Sequence, residues 1–354
     1  MDMFSTRTML EMVNEGEKKY TSWLRDRYFK DRPTFATARV DFDIRGIGNR
    51  KIAPFVNPRI GGKNVDRQGY KTLSFEAPEV SPQMVTTAED MLLRAPGESL
   101  YSQKTPAQRA AEQLGQDLSD LDDIITGREE AMCAEALFTG QITVKGDGYN
   151  DVIKYWSQLD SGEQPKTTLG TKWTDASIEA TDILADIRQI RRTMMQTGGF
   201  TPRDLILGSD VVDAVVDKLA NSKSLDNRRV DLGHIDPNNL PEGVTYWGYL
   251  KDSAVDIYSY DSTYVDDQGT TQNFVPKNLC LLASPNAKTV LAYGVVGIVN
   301  EQADSNKIMF VEGSRVPISW VQRANPSGRI VQIKSRPLPI IKTILGFHVI
   351  ANAV

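Results

Sequence analysis

Side chains able to do acid–base, nucleophilic or metal chemistry are scarce in this chain. Its two histidines, His234 and His348, lie far apart, and neither sits in a carboxylate–cysteine–histidine cluster. A triad or a zinc site would need long-range convergence. Cys133 and Cys280 have no C-x-x-C partner, and Cys133 reads as a small packing residue on a helix. The stretch Leu205-Ile206-Leu207-Gly208-Ser209-Asp210 has the outline of a strand, a glycine and a helix start, a junction that can cradle phosphate. It holds one glycine, however, and Asp210 in the first helical turn would repel phosphate while suiting the helix dipole. A capped strand–helix junction is the better reading. Arg45-Gly46-Ile47-Gly48 lacks the third glycine of a dinucleotide fingerprint and opens no helix. Asp147 and Asp266-Asp267-Gln268-Gly269 are turn chemistry. No catalytic residue, cofactor-binding residue or metal ligand is assigned.

Charge is segregated instead. Between 112 and 135 stand eight acids (Glu112, Asp117, Asp120, Asp122, Asp123, Glu129, Glu130, Glu135) against Arg128, a net of −7. Between 57 and 71 stand Arg59, Lys63, Arg67 and Lys71 against Asp66, a net of +3. Two readings stay open: a pair of solvated surfaces, or an arm complementary to the same chain's neighbour. Complementarity of that kind sets register and association rate more than affinity.

The elements that carry these charges are a projecting arm and a long helix. Val40, Phe42 and Ile44 alternate with Asp41, Asp43 and Arg45, the period of a half-buried strand; 57–64 is a turn-rich tip, and 70–75 returns as a second strand. A lone hairpin is marginal in water, and few local apolar residues are available to bury this one, so it is expected to pack on another copy of the chain. A helix is expected over 106–138, with Thr105 as N-cap, Pro106 at the first position and Gly140 as stop. At 1.5 Å per residue it is about 50 Å long, with Gly115 and Gly127 as bend points.

Residues 9–29 read as one helix broken or loosened at Gly16; rich in aromatics such as Trp23, it is either a core helix or an arm that swaps onto a neighbour. A hairpin is expected over 141–155, a polar linker over 160–174, and a compact α/β unit from Asp175, with helices to Met195 and over 210–219. Strands are expected at 204–207, 243–249, 254–260, 279–283 and 289–293, and more between 307 and 354, broken by prolines.

The 354 residues allow two or three packed units, and a net charge of −5 disfavours tight binding to nucleic acid. Two cysteines give no disulfide framework, which points to a reducing cytoplasm. The first residues lack the basic and apolar regions of a secretory signal, and the apolar stretch 344–354 is too short to span a bilayer.

The order of N-terminal helix, projecting hairpin, long helix and α/β unit resembles the Hong Kong 97-type phage capsid fold, and more closely the lambda-type major head proteins of the capsid protein E family. The resemblance is carried by Phe35-Ala36-Thr37-Ala38-Arg39-Val40, Ile52-Ala53-Pro54-Phe55-Val56-Asn57-Pro58, Glu79-Val80-Ser81-Pro82-Gln83-Met84, Asn273-Phe274-Val275-Pro276 and Ala292-Tyr293-Gly294. Each is a loose pattern; their order and spacing cover most of the chain.

The resemblance implies an α+β fold divided into an N-terminal arm (1–39), an extended loop (40–83), a spine helix with a peripheral-domain hairpin (84–160), an axial domain (161–300) and peripheral-domain strands returning to the axial domain (301–354). It implies a structural, non-enzymatic subunit of the virion, made and assembled in the bacterial host cytoplasm. Hexamers and pentamers would close into an icosahedral shell around double-stranded DNA held without sequence specificity. A separate scaffolding protein is expected, nothing before Met9 being long enough for a fused one, together with a portal protein; a decoration protein is compatible with the fold and supported by no motif. No cofactor and no membrane partner are implied. The candidate intersubunit residues are Arg59, Lys63, Arg67 and Lys71 on the loop, Asp117, Asp120, Asp122 and Asp123 on the spine, and Trp23. Two rivals remain: a shell protein of a cellular encapsulated compartment, and an enzyme holding a nucleotide on the α/β unit after Asp175.

Overall fold

The computed structural model describes residues 6–15, 22–45, 52–53, 55–57, 61–62, 64, 70–87, 89–90, 105–146, 148–159, 164–221, 233–240, 243–300, 307–323 and 327–354. Its axis is the helix Pro106–Thr139, which follows two short helices, α1 (Thr6–Glu15) and α2 (Trp23–Tyr28), and is here α3. Thr105 opens α3 with a reciprocal capping box: its hydroxyl accepts from the Gln108 amide, and the Gln108 side chain accepts from the Thr105 amide. The helix runs unbroken past Gly115 and Gly127. Gly140 closes it in the left-handed conformation at φ 67°, returning its amide to the Ala136 carbonyl.

The apolar stripe of α3 serves two cores. Leu114, Leu118, Leu121 and Ile125 pack against Met9 and Val13 of α1 and against Val331 and Ile333. The last two belong to a three-stranded antiparallel sheet ordered Val316–Gln322, Gly328–Lys334, Gln83–Thr87. Further along, Met132, Cys133, Ala136 and Leu137 enter the main core with Leu24 and Phe29. Over 9–29, where a break or loosening at Gly16 is expected, the described residues form two helices, α1 ending at Glu15 and α2 starting at Trp23. α2 ends at Tyr28, and Asp31 and Thr34 then bridge to Val290 and Tyr293.

The α/β unit is built on a seven-stranded mixed sheet. Its order is Lys166–Thr168, Phe347–Ala351, Cys280–Ala283, Asp204–Leu207, Val255–Tyr260, Val244–Leu250, Gly233–Leu240. The period of two sends Leu205, Leu207, Cys280, Leu282 and Ile350 to helices α4 (Ala180–Thr197) and α5 (Ser209–Asn221). It sends Ile206, Leu281, Phe347 and Val349 to the main core beside α2 and α3. Burial on both faces explains why these strands read as continuous apolar runs instead of alternating ones. The linker expected at 160–174 is in part an edge strand of this sheet, paired in parallel with Phe347–Ala351.

The arm strands Arg39–Arg45 and Tyr70–Glu76 pair antiparallel, Val40 opposite Phe75 and Phe42 opposite Leu73. The expectation that they find little core within the chain is corrected at their base. Val40 and Phe42 are buried in the main core, and the Phe75 ring contacts Phe42 at 5.8 Å and Tyr155 at 6.2 Å. Further out, among the described residues, Ile52 and Phe55 stand at 90% and 104% exposure. A second hairpin, Val296–Asn300 with Lys307–Val311, likewise leaves Val299, Ile308 and Phe310 exposed.

Candidate assembly surfaces and the charged clasp beneath them

The acids of α3 are largely spent inside the subunit. Asp117, Asp122 and Asp123 are buried, as are Glu129 and Glu130, both at 0% exposure. Asp117 accepts from the Thr86 hydroxyl and the Gln113 amide. Asp122 accepts from Arg315 Nε at 2.5 Å, and Arg315 Nη1 reaches Glu129 Oε1 at 2.6 Å. Arg25 of α2 donates to the other Glu129 oxygen at 2.8 Å. An outward-facing acidic strip through Asp117, Asp122 and Asp123 is thus corrected: all three are buried, with Thr86 and Gln113 donating to Asp117 and Arg315 to Asp122 within the same chain. Asp120 alone of the four predicted aspartates is exposed.

Trp23 is also an intrachain residue. Its ring lies 5.3 Å from Tyr258 and 5.9 Å from Tyr260, with the Arg27 guanidinium 5.3 Å over it. Arg59, Lys63 and Arg67 lie outside the described residues. Lys71 sits opposite Ile44 in the arm hairpin, and its side chain lies outside the described set.

Sequence reading missed Arg25, Arg27, Asp204 and Arg315. Arg27 grips buried Asp204 with two bonds of 2.8 and 2.7 Å, and the Tyr28 hydroxyl donates to the same carboxylate at 2.8 Å. α2 is therefore bolted on one side to α3 and on the other to the first residue of a central strand. Burial, the largest influence on Glu129, pushes its carboxyl up, yet Arg315 and Arg25 together hold it below the usual carboxylate value. One signal for the cluster existed: Glu129 stands four residues after Ile125 and three before Met132, on the apolar stripe itself.

No constellation of catalytic character appears among the described residues. No group of three or more potential metal ligands is found there, and no helix is long and apolar enough to cross a membrane. His348 hydrogen-bonds the Thr167 hydroxyl at 2.7 Å, and burial lowers its pKa to about 4, which keeps the imidazole neutral at physiological pH. The Leu207–Ser209 junction is a packed one: a Cβ on Gly208 would meet the Pro276 carbonyl oxygen at 2.3 Å.

A long helix braced by an N-terminal segment, a projecting hairpin and a two-faced sheet domain define the Hong Kong 97-like class of shell-forming capsid subunits. A crystal structure of a putative capsid protein of an Escherichia coli CFT073 prophage superposes with a TM-score of 0.71 over 98% of both chains at 19% identity. A phage-related protein from Bordetella bronchiseptica RB50 gives 0.52, covering 98% of this chain and 96% of that one, at 14% identity. Residues 5–347 match the model of phage major capsid protein E, and the chain belongs to that family. It is 25% identical to the major capsid protein of Escherichia phage lambda and 24% identical to that of Enterobacteria phage phi80, over 96% of each chain in both cases. The protein is a structural subunit of a phage head and a component of the virion. The compartment-shell and nucleotide-enzyme readings are not favoured.

Proposed function

We propose that the subunit forms hexamers and pentamers that close an icosahedral head around double-stranded DNA, assembled in the host cytoplasm with a separate scaffold and a portal, and without catalytic activity. The observation that carries this reading is the arm. Its base is anchored in the main core, while Ile52 and Phe55 further out are solvated, as expected of a segment whose apolar residues are covered by another copy. The corrected charge pattern sharpens the partner surface. The basic tip has Glu112 and Asp120 as exposed acids on the first half of α3. The low net charge of −5 fits an interior that holds DNA weakly and without sequence preference.

Deletion of 58–69 tests this. The deleted chain is expected to keep its far-UV signal and thermal transition while failing to form closed shells by negative-stain microscopy, with or without scaffold. Closed shells from the deleted chain would reject the arm as the assembly element. Loss of the thermal transition would show instead that the tip is part of the subunit's own core.

A further inference from the structure

The hairpin Val296–Asn300 with Lys307–Val311 has two unlike faces. Its register sets Gly297 opposite Phe310 and Val299 opposite Ile308, so these four residues share one face. Val296, on the other face, is buried. The first face is bare: Val299, Ile308 and Phe310 are 61%, 64% and 73% exposed. A Cβ on Gly297 would meet the Phe310 ring at 3.8 Å, so the ring leans across the glycine and fills the space a side chain would take. None of the four residues carries a charged or polar side chain. A two-stranded hairpin is marginal in water, and bare apolar strands of this kind invite a partner.

The same chain carries a matching surface. The most exposed large apolar side chains among the described residues are Phe55, Ile52, Phe310, Val265, Ile308 and Val299, and all but Val265 stand on the arm or on this hairpin. The two projections share a root. Just before the first arm strand, the Thr37 carbonyl accepts the Val295 amide at 3.4 Å. Just after the second, Ala77 lies 3.2 Å from where a Cβ on Gly294 would stand. Yet the projections do not cover one another within the subunit, since Ile52, Phe55 and Phe310 all remain solvated. The hairpin face offers no charge to a phosphate backbone or an acidic partner; it suits an apolar segment.

We infer that the bare face of this hairpin is the seat for Ile52, Phe55 and Val56 on the arm of another copy of the chain. The inference rests on the assembly proposed above and names the surface that receives the arm. Phe55 and Phe310 are the anchors, large rigid rings of the kind enriched at the centre of protein interfaces. The contact is heterologous, the arm of one subunit on the hairpin of the next, and such contacts generate rings when the rotation closes. An arm and its own hairpin rising from one root give each subunit one projection to place and one to receive.

The test combines Val56→Cys and Val299→Cys in the full chain, which keeps both phenylalanines. The native Cys133 and Cys280 are buried and stay silent to a thiol reagent. In shells assembled from this chain and freed of other proteins, a short bismaleimide is expected to join subunits into a ladder on a denaturing gel, and neither single-cysteine chain should give one. Phe310→Asp in the double-cysteine background is expected to cut the linkage about tenfold or more. Phe55→Asp, at a fully solvated residue, carries the same test if the Phe310 variant does not fold. Undiminished linkage in both aspartate variants, linkage confined to single chains, or a thiol at position 299 that stays reactive in the shells would overturn the seat and leave assembly intact. So would a thiol covered without linkage to position 56, or covered only while a scaffold or decoration protein is present. An unaltered chain that forms no rings or shells would overturn the assembly reading and the seat together.

Discussion

Arg315→Met is expected to cost the subunit about 3–5 kcal/mol, the range for stranding a buried charge by removing its partner. Arg315 is ten per cent exposed at its side chain and Glu129 not at all, so the loss leaves two carboxylates, Asp122 and Glu129, with only Arg25 nearby. Water has little access to Asp122 and none to Glu129, and the methionine fills much of the space without supplying a donor. Urea unfolding gives the readout: a lower midpoint at an unchanged slope. The comparison variant is Arg336→Met, which breaks the pair with Glu79 at sites 22% and 27% exposed. Solvent screening there limits the expected loss to about 1 kcal/mol or less. Equal losses in the two variants would mean that burial of the Arg315 cluster has no special energetic weight.

Gly140→Ala is the second large effect. The glycine lies at φ 67°, and a Cβ built there would sit 2.0 Å from the Trp156 indole. An L-residue in that conformation costs ~1–2 kcal/mol, and forcing the indole aside adds ~1–3 kcal/mol of overpacking. A loss of about 2–5 kcal/mol is therefore expected, visible as a fall in Tm. Trp156→Ala in the Gly140→Ala background separates the two causes: it should recover the steric part and leave the backbone part. No recovery would place the whole cost in the backbone.

Local signals carried much of the architecture. Thr105-Pro106 and Gly140 bracketed α3 to within one residue, because caps act through adjacent atoms. The turn around Gly148 similarly announced the hairpin Gln141–Gly146 with Tyr149–Lys154. What stayed hidden was decided by distant partners. Gly233–Leu240 contains Pro237 between Asp236 and Asn238 and has no strand periodicity; it pairs only because Val244–Leu250 lies beside it. Lys166–Thr168 looked like linker because three residues carry no period at all. The acidic run on α3 looked like a surface because composition cannot say which way a carboxylate points. Arg25 and Arg315, which turn it inward, are 104 and 186 residues away from Glu129 along the chain. The arm was legible as a hairpin, but its anchored base was not, since Phe75 meets Tyr155 only across the fold.

The strand Phe347–Ala351 has a further consequence, one of timing. It follows every other strand of its sheet in the chain, yet it lies between Lys166–Thr168 and Cys280–Ala283 and not at an edge. During synthesis the sheet keeps an open slot, with one side of Leu281 and Leu282 unpaired, until residues 347–351 leave the ribosome. Chains that stop short of this strand therefore lack a completed sheet. Nascent chains stalled before Phe347 are expected to be cleaved by protease around Cys280–Ala283, and chains extending past the slot-filling strand to resist it.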